Sequence, residues 1–529
     1  NDYGNYATFN PLISEVNSSR AYADGNRKVT LNNADDGAET TMFVPSGSKG
    51  YCEITIVTDA AEPTVGIRRK DSQTPLSSTN LSGTLEWGYR GNGQKRGGGA
   101  SAASYGDTFT AGDVIGVAID TVNGALWFSK DGTWQASATI GEVNAGTTTN
   151  AAFTGLAGHG YTFAVANSSS GTTGDSFTAN FGATAFEYTQ PTGFIALSTA
   201  NLPTPSVINY EDEYYIEAGI SHSNGSTTAV TLPWNPAAVG TMVRVKRTNT
   251  TDAWYVFDTV RGDTDYFEWN SNAAEDTSTL SNGGFTANTF TMSSSFGTGT
   301  YMIEAFKVGS YFKIIEYAGN GGSGTRTYAH GASEELGFAV TMRTTAGAAG
   351  HAAAHKDLTS ANWYLDTTTT AAQADYGSAF FDISDGTNIT IDRSSSYLNA
   401  DGVNYVTYAW ANSGPYAFGK YTGNGNADGP MINVGGHPET FFNKKTSGAD
   451  TWQMIAGPVG TNAYNYAEDR LAMDTTAATS TYSAMIWDVV SNGFKIRSTD
   501  GGYNASSATY IYGAFGIQPL TDGAVNQGR

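Results

Sequence analysis

One cysteine, Cys52, occurs in 529 residues, which excludes an intrachain disulfide framework. It lies in the apolar run Tyr51-Cys52-Glu53-Ile54-Thr55-Ile56 with no histidine close in sequence. That setting reads as a small core residue and not as a nucleophile. Charge is scarce too: Asp, Glu, Lys and Arg together make 15% of the chain. The net charge is −21, and an acidic surface repels phosphate backbones, so nucleic acid is excluded as an expected partner. No run reaches the roughly 18 apolar residues of a membrane helix, so no membrane insertion is expected. No signal-peptide pattern opens the chain. It begins at Asn1, which is no initiator, so it reads as a processed chain or as part of a longer one. Long Leu/Glu/Lys/Ala stretches, the material of helices, are missing as well.

Glycine, at 64 residues, and Thr, Ser, Asn and Tyr fill the space that charge leaves. β-Branched and aromatic residues suit pleated surfaces, and Gly and Asn suit tight turns. The expected fold class is all-β. The length is too great for one ordinary core, so several domains are expected.

Residues 1–203 carry strand signals roughly every 8–15 residues. Asp113–Asp120 and Ala125–Phe128 flank Asn123-Gly124, a hairpin signal of the type I′ kind, in which both central residues take positive φ. Ser129-Lys130-Asp131-Gly132 marks a further turn, and such a meander predicts a two-sheet sandwich. Gly91-Asn92-Gly93-Gln94-Lys95-Arg96-Gly97-Gly98-Gly99 reads as a mobile, locally basic connection, with contact to an anionic partner as its functional alternative. Asn201-Leu202-Pro203-Thr204-Pro205-Ser206 reads as an extended linker closing this region.

Several motifs of this region occur in a telling order: Tyr51-Cys52-Glu53, Trp87-Gly88-Tyr89, Gly112–Val117, Leu126-Trp127-Phe128-Ser129-Lys130-Asp131-Gly132, Asn180-Phe181-Gly182 and Pro191-Thr192-Gly193-Phe194. In this order they resemble a SPRY domain, in a form similar to one found in phage virion proteins. The resemblance implies a bent, concanavalin-like (jelly-roll) antiparallel sandwich that recognises partners through loops and has no catalytic role.

Beyond residue 203 a longer pattern takes over. Tyr301-Met302-Ile303-Glu304-Ala305-Phe306, Tyr405-Val406-Thr407-Tyr408-Ala409-Trp410 and Tyr510-Ile511-Tyr512-Gly513-Ala514-Phe515 share Tyr, an aliphatic, two variable residues, Ala and an aromatic, at intervals of 104 and 105 residues. Gly319-Asn320-Gly321 and Gly423-Asn424-Gly425 repeat at the same interval. The period exceeds that of solenoids, so each unit is expected to be a small β-sandwich with its own core. The expected domains are a SPRY-like sandwich at 1–203, repeats at 204–309 (divergent), 310–414 and 415–519, and a tail at 520–529. The array is similar to an uncharacterised tandem β domain of structural proteins of tailed, particularly marine, phages.

Candidate chemistry is sparse. Gly319-Asn320-Gly321-Gly322-Ser323-Gly324 fits a dinucleotide-loop pattern, but no helical period follows, so a hairpin turn is the reading and no cofactor is expected. His351 and His355 have two-histidine metal spacing, but Ala352 stands where a catalytic glutamate belongs, and Gly347–Gly350 suggests a loop, so no metal is expected. Glu211-Asp212-Glu213 lacks the arrangement of a calcium loop. No catalytic residue is assigned. Aromatic rings near turns remain, since they stack on sugars while Asn, Asp and Thr supply hydrogen bonds. The candidates are Trp87, Tyr89, Trp134, Trp452 and Tyr464.

The resemblances imply a non-enzymatic virion protein, a tail fibre or surface appendage with its sandwich modules in a row, that binds host-cell glycan or protein and other virion proteins. They also favour a homo-oligomer, with a trimer first. A capsid-decorating protein and a polysaccharide depolymerase are the alternatives.

Overall fold

Short runs of β-branched and aromatic residues alternate with Gly- and Asn-rich turns, and strands follow from them. Two α-helices, Ile140–Ala145 and Gly501–Asn504, interrupt the β structure of the described residues. The computed structural model describes residues 6–12, 20–70, 76, 80–168, 174–201, 210–277, 280, 284–345, 350–456, 466–467, 469–481 and 486–519. They form two compact units, Asn1–Thr204 and Pro205–Pro519. Most of the expected linker and the whole expected tail lie outside the described residues.

The first unit is a sandwich of an eight-stranded and a six-stranded antiparallel sheet, to the first of which Ile195–Ala196 adds in parallel. Lys49–Thr58 sits at the middle of the larger sheet between Asp175–Asn180 and Val114–Asp120. Its alternation buries both faces. Cys52, Ile54 and Ile56 enter the core between the sheets, while Tyr51 packs outside with Ala118, Trp127 and Val143. The lone cysteine is therefore a core residue. Val143 comes from Ile140–Ala145, whose Thr139 and Glu142 cap its N-terminus reciprocally.

Turn chemistry departs from expectation twice. The hairpin at Asn123-Gly124 has a four-residue loop, because Asp120 and Ala125 are paired. Only Gly124 takes positive φ there, at 70°. Asp120 Oδ1 instead holds the turn by accepting from the amides of Val122 and Asn123, each at 2.9 Å. The two-residue turn with two positive φ angles is the next one, Asp131 at 46° and Gly132 at 76°. The expected mobile run at 91–99 is also ordered: Gln94–Gly97 is a strand paired with Glu86–Arg90 and Ala103–Ser104.

The second unit contains three large antiparallel sheets built on one plan. In each, the strand that comes last in the module lies between the first and second: Gly299–Lys307 between Tyr214–His222 and Thr241–Arg247, Asn404–Ala411 between Phe312–Ala318 and Leu336–Arg343, Thr509–Phe515 between Tyr416–Thr422 and Thr440–Lys445. Each of these central strands carries the Tyr-x-x-x-Ala-aromatic motif. Its odd positions, among them Tyr301, Ile303 and Ala305, face a local core that a smaller sheet of the same module closes. Its even positions, Met302 and Phe306, Val406 and Trp410, Ile511 and Phe515, meet in one cluster drawn from all three modules.

Each module thus keeps a local core of its own, and a further core is shared by all three. Apolar residues on both faces of a central strand need cover on both sides, and the second side of each large sheet is covered by the other two modules. The variable fourth position of the motif accounts for the asymmetry of this shared core. Glu304 pairs there with Arg244 at 2.7 Å and accepts from the Tyr214 hydroxyl at 2.8 Å. Tyr408 reaches Asp258, and Gly513 leaves room for Phe442 and Phe418.

The Gly-Asn-Gly segments are not hairpins. Each connects a strand of the large sheet to one of the small sheet. A buried asparagine clamps each: Asn399 Nδ2 donates to Asn320 Oδ1 at 3.0 Å, and Asn504 Nδ2 to Asn424 Oδ1 at 3.0 Å. A Cβ on Gly319 would fall 2.0 Å from the Ala400 carbonyl oxygen, so the backbone passes where only glycine fits.

Candidate functional site

Toward one end of the smaller sheet, the first unit brings together aromatic and cationic groups. In the smaller sheet Tyr89 pairs with Lys95 and Trp87 with Gly97, so the side chains of Trp87, Tyr89 and Lys95 share the inward face. Trp87 is half-buried and meets Tyr161 edge to face at 5.7 Å between ring centres. Its indole fits because Gly97 lies across it: a Cβ there would come within 2.6 Å of Trp87 Cδ1.

Lys95 donates to the Ala152 carbonyl. Its ammonium lies 5.5 Å from the Tyr105 ring centre and 5.3 Å from that of Phe153. Burial lowers its pKa. Tyr105 and Phe153 are themselves only partly buried at the margin of the core. The rim therefore offers a positioned cation between aromatic faces beside a half-exposed indole, which is the chemistry of recognition by stacking and cation–π contact.

Of the aromatic candidates, Trp87 keeps surface for this role, and Trp134 is half-buried against the small cluster around Trp127. Tyr89 and Trp452 are corrections. Both are 0% exposed, because the Tyr89 ring enters the core of the first sandwich and Trp452 enters the cluster shared by the three modules. Tyr89 gives its hydroxyl hydrogen to the Asp107 carbonyl, and Trp452 Nε1 donates to the Asp366 carbonyl at 3.2 Å. Tyr464 lies outside the described residues. Lys95 stood out in sequence only as part of a basic run. The Tyr105 and Phe153 rings that hold it carried no sequence signal, since contact across the sandwich decides their role.

The two histidines adjoin and end a strand, Ala352–His355, and face different neighbours. His351 packs on Phe267 of the first module, with ring centres 6.4 Å apart. His355 Nε2 lies 3.0 Å from the Tyr512 carbonyl oxygen of the third module. Burial lowers each imidazole to about 4. Among the described residues no three metal-ligating side chains gather in one place. Glu213 of the acidic cluster pairs with Lys307 at 3.4 Å.

Lys246 and Lys444 are boundary residues. Lys246 Nζ donates to the Thr476 carbonyl at 3.0 Å and Lys444 Nζ to the Thr370 carbonyl at 2.9 Å. Beside them Trp254 Nε1 donates to the Ala472 carbonyl at 2.9 Å, as Trp452 does to that of Asp366. The first module thus grips the third as the third grips the second. Met342 and His351 occupy the corresponding places where the second meets the first, and there His351 interacts with the Trp269 backbone.

Residues 49–183 match the SPRY domain, and residues 303–519 match a domain of unknown function, DUF7483. No curated protein matches the chain. Among solved structures, the SPRY domain of human HERC1 is 17% identical with a TM-score of 0.25, covering 32% of this chain and 96% of that one. A human SPRY domain is 14% identical with a TM-score of 0.23, covering 32% of this chain and 100% of that one. Stonustoxin is 14% identical with a TM-score of 0.25, covering 34% of this chain and 27% of its own. The first unit of this all-β chain therefore carries a SPRY domain.

Proposed function

We propose that this chain is a non-enzymatic binding protein of a tailed-phage virion, a fibre or comparable surface appendage that attaches to glycan or protein on the host cell. The SPRY rim carries the reading: Trp87 and Lys95 stand at the margin of a rigid sandwich, positioned by Tyr161, Tyr105 and Phe153. The motif resemblances supply the particle. The repeat motifs of the second unit are spent on packing, which leaves loops and module edges as its binding surfaces. Other virion proteins are the remaining partners, and the fibre resemblance favours a homotrimer.

Two measurements test this. Purified chain is expected to bind host cells and to compete with adsorption of the parent phage, and Trp87→Ala with Lys95→Ala is expected to weaken both. Gold-labelled antibody on intact particles is expected to mark a tail appendage. Labelling of the capsid surface supports decoration instead. Sustained release of reducing sugar from host polysaccharide would establish a depolymerase and overturn the non-enzymatic reading, as would loss of that release on replacing one carboxylate.

A further inference from the structure

A row of three tyrosines crosses one edge of the second module. Tyr364 lies in Trp363–Asp366, Tyr376 directly follows the edge strand Ala374–Asp375, and Tyr397 precedes the buried Leu398. The Tyr364 ring centre is 5.7 Å from that of Tyr397 and 6.4 Å from that of Tyr376. Phe380, fully buried, backs the row at 4.3 Å from Tyr364 and 4.6 Å from Tyr376. Tyr364 and Tyr397 meet at an interplanar angle of 60°. Tyr376 is anchored through its amide, which donates to the Asn362 carbonyl at 3.0 Å.

Tyr376 differs from its neighbours. It is 38% exposed, the one aromatic ring among the exposed large hydrophobic residues described. Its hydroxyl makes no hydrogen bond with any described residue. Exposed tyrosines are common and mean little singly. This one is held by two further rings and so loses little freedom when a ligand stacks on it.

The polar surroundings narrow the ligand. Asp375 is exposed and uses Oδ1 to hold the Gly377 amide at 2.8 Å, and Ser378 beside it is exposed too. Among the described residues Asp366, Asp375 and Asp392 form no ion pair. Of the three only Asp375 is exposed, and an exposed carboxylate without a paired cation beside the ring repels sulfated, phosphorylated or uronic-acid ligands. One exposed ring is also far smaller than the roughly 1,000 Å² that a stable protein interface requires.

We infer that this edge is a binding site for a neutral pyranose unit of a polysaccharide. The C–H face of the sugar stacks on Tyr376, and its hydroxyls are taken up by the Tyr376 hydroxyl and the Asp375 carboxylate. The site rests on the adhesion reading and names a ligand class for it. One such contact is weak, in the millimolar range, and gains strength when repeated over the copies of an assembly.

Saturation-transfer NMR on the full chain with maltohexaose, cellohexaose and mannohexaose, beside a sulfated hexasaccharide, tests it. Transfer to at least one neutral sugar is expected, with little to the sulfated one. Tyr376→Ala is expected to weaken binding about tenfold or more and Tyr376→Phe about threefold, with unchanged thermal midpoints. Absence of transfer to all three neutral sugars overturns the site, as does transfer that Tyr376→Ala leaves intact or preference for the sulfated probe. If that happens while the chain still binds host cells, adhesion stands and the site falls. If the chain binds no cells but sugar transfer depends on Tyr376, the site stands and the adhesion reading falls.

Discussion

Tyr408 donates its phenolic hydrogen to Asp258 Oδ2 over 2.6 Å, joining two modules across 150 positions of sequence. Asp258 also accepts from Arg261 Nε at 2.6 Å, and the pair is almost wholly buried. A buried carboxylate that loses a donor keeps its full desolvation penalty. Tyr408→Phe is expected to lower the unfolding free energy of the second unit by about 1–3 kcal/mol in urea titration. Arg261→Met is expected to cost more, about 3–5 kcal/mol, because it strands the charge. An unchanged midpoint in both variants would show that this bond does not hold the modules together.

Acid is expected to loosen the second unit. His351 and His355 titrate at about 4 in the fold, against 6.5 when unfolded, because burial disfavours the imidazolium. Their depressed values give stability that is present above pH 6.5 and lost as pH falls through 4. The effect is on the order of 3 kcal/mol per ring. Asp474 works in the opposite direction, since burial raises it from 3.8 to about 6 and its contribution fades as pH rises through that range. Burial also lowers His222, His330 and His437 and raises Glu268 and Glu316, so five histidines against three carboxylates leave a net rise in stability from pH 4 to 6.5. Urea midpoints across this range check it, and His355→Gln, which can still donate to Tyr512, should flatten the slope.

Overpacking at Gly513 is a third test. A Cβ there would lie 2.4 Å from Phe442 Cε1 and 2.7 Å from Phe418 Cε1. Gly513→Ala is expected to cost about 1–3 kcal/mol. Adding Phe442→Leu should recover part of that, so that the double variant is less destabilised than the sum of the two single ones. Simple additivity would place the added methyl elsewhere.

Asn504 clamps its turn through Nδ2 to Asn424 Oδ1, to the Asn426 carbonyl at 2.7 Å and to the Ser498 carbonyl at 2.9 Å. Its Oδ1 accepts from the Asn424 amide at 2.8 Å. Asn504→Ala removes these bonds, leaving Asn424 Oδ1 only the Asn426 amide, and is expected to cost about 2–4 kcal/mol. Faster hydrogen exchange should follow at the Asn424 amide, whereas the Asn320 amide, clamped by Asn399, should be unaffected.

Strand content and the sandwich of the first unit were legible because alternation and turn residues act locally: Cys52 and its neighbours declare a core strand without any distant contact. The shared core was not legible. Met302, Phe306, Trp410 and Phe515 look like ordinary strand residues, and nothing local says that their faces meet. The same limit applies to the rim at Lys95, where Gly-rich sequence hides a strand whose partners are remote. Tyr376 escaped notice because an exposed ring and a buried one read alike in sequence; Tyr89 and Trp452 erred in the other direction.

The grips of Lys246 on the third module and of Lys444 on the second have a consequence for how such a chain can change over generations. A linear array gains or loses a unit at little structural cost, since each unit meets only its neighbours. In a closed circuit each unit meets both others, so deleting a module uncovers two boundaries and the shared core at once. The modules differ at single positions such as Glu304, Tyr408 and Gly513, each of which has its own partners inside the shared core.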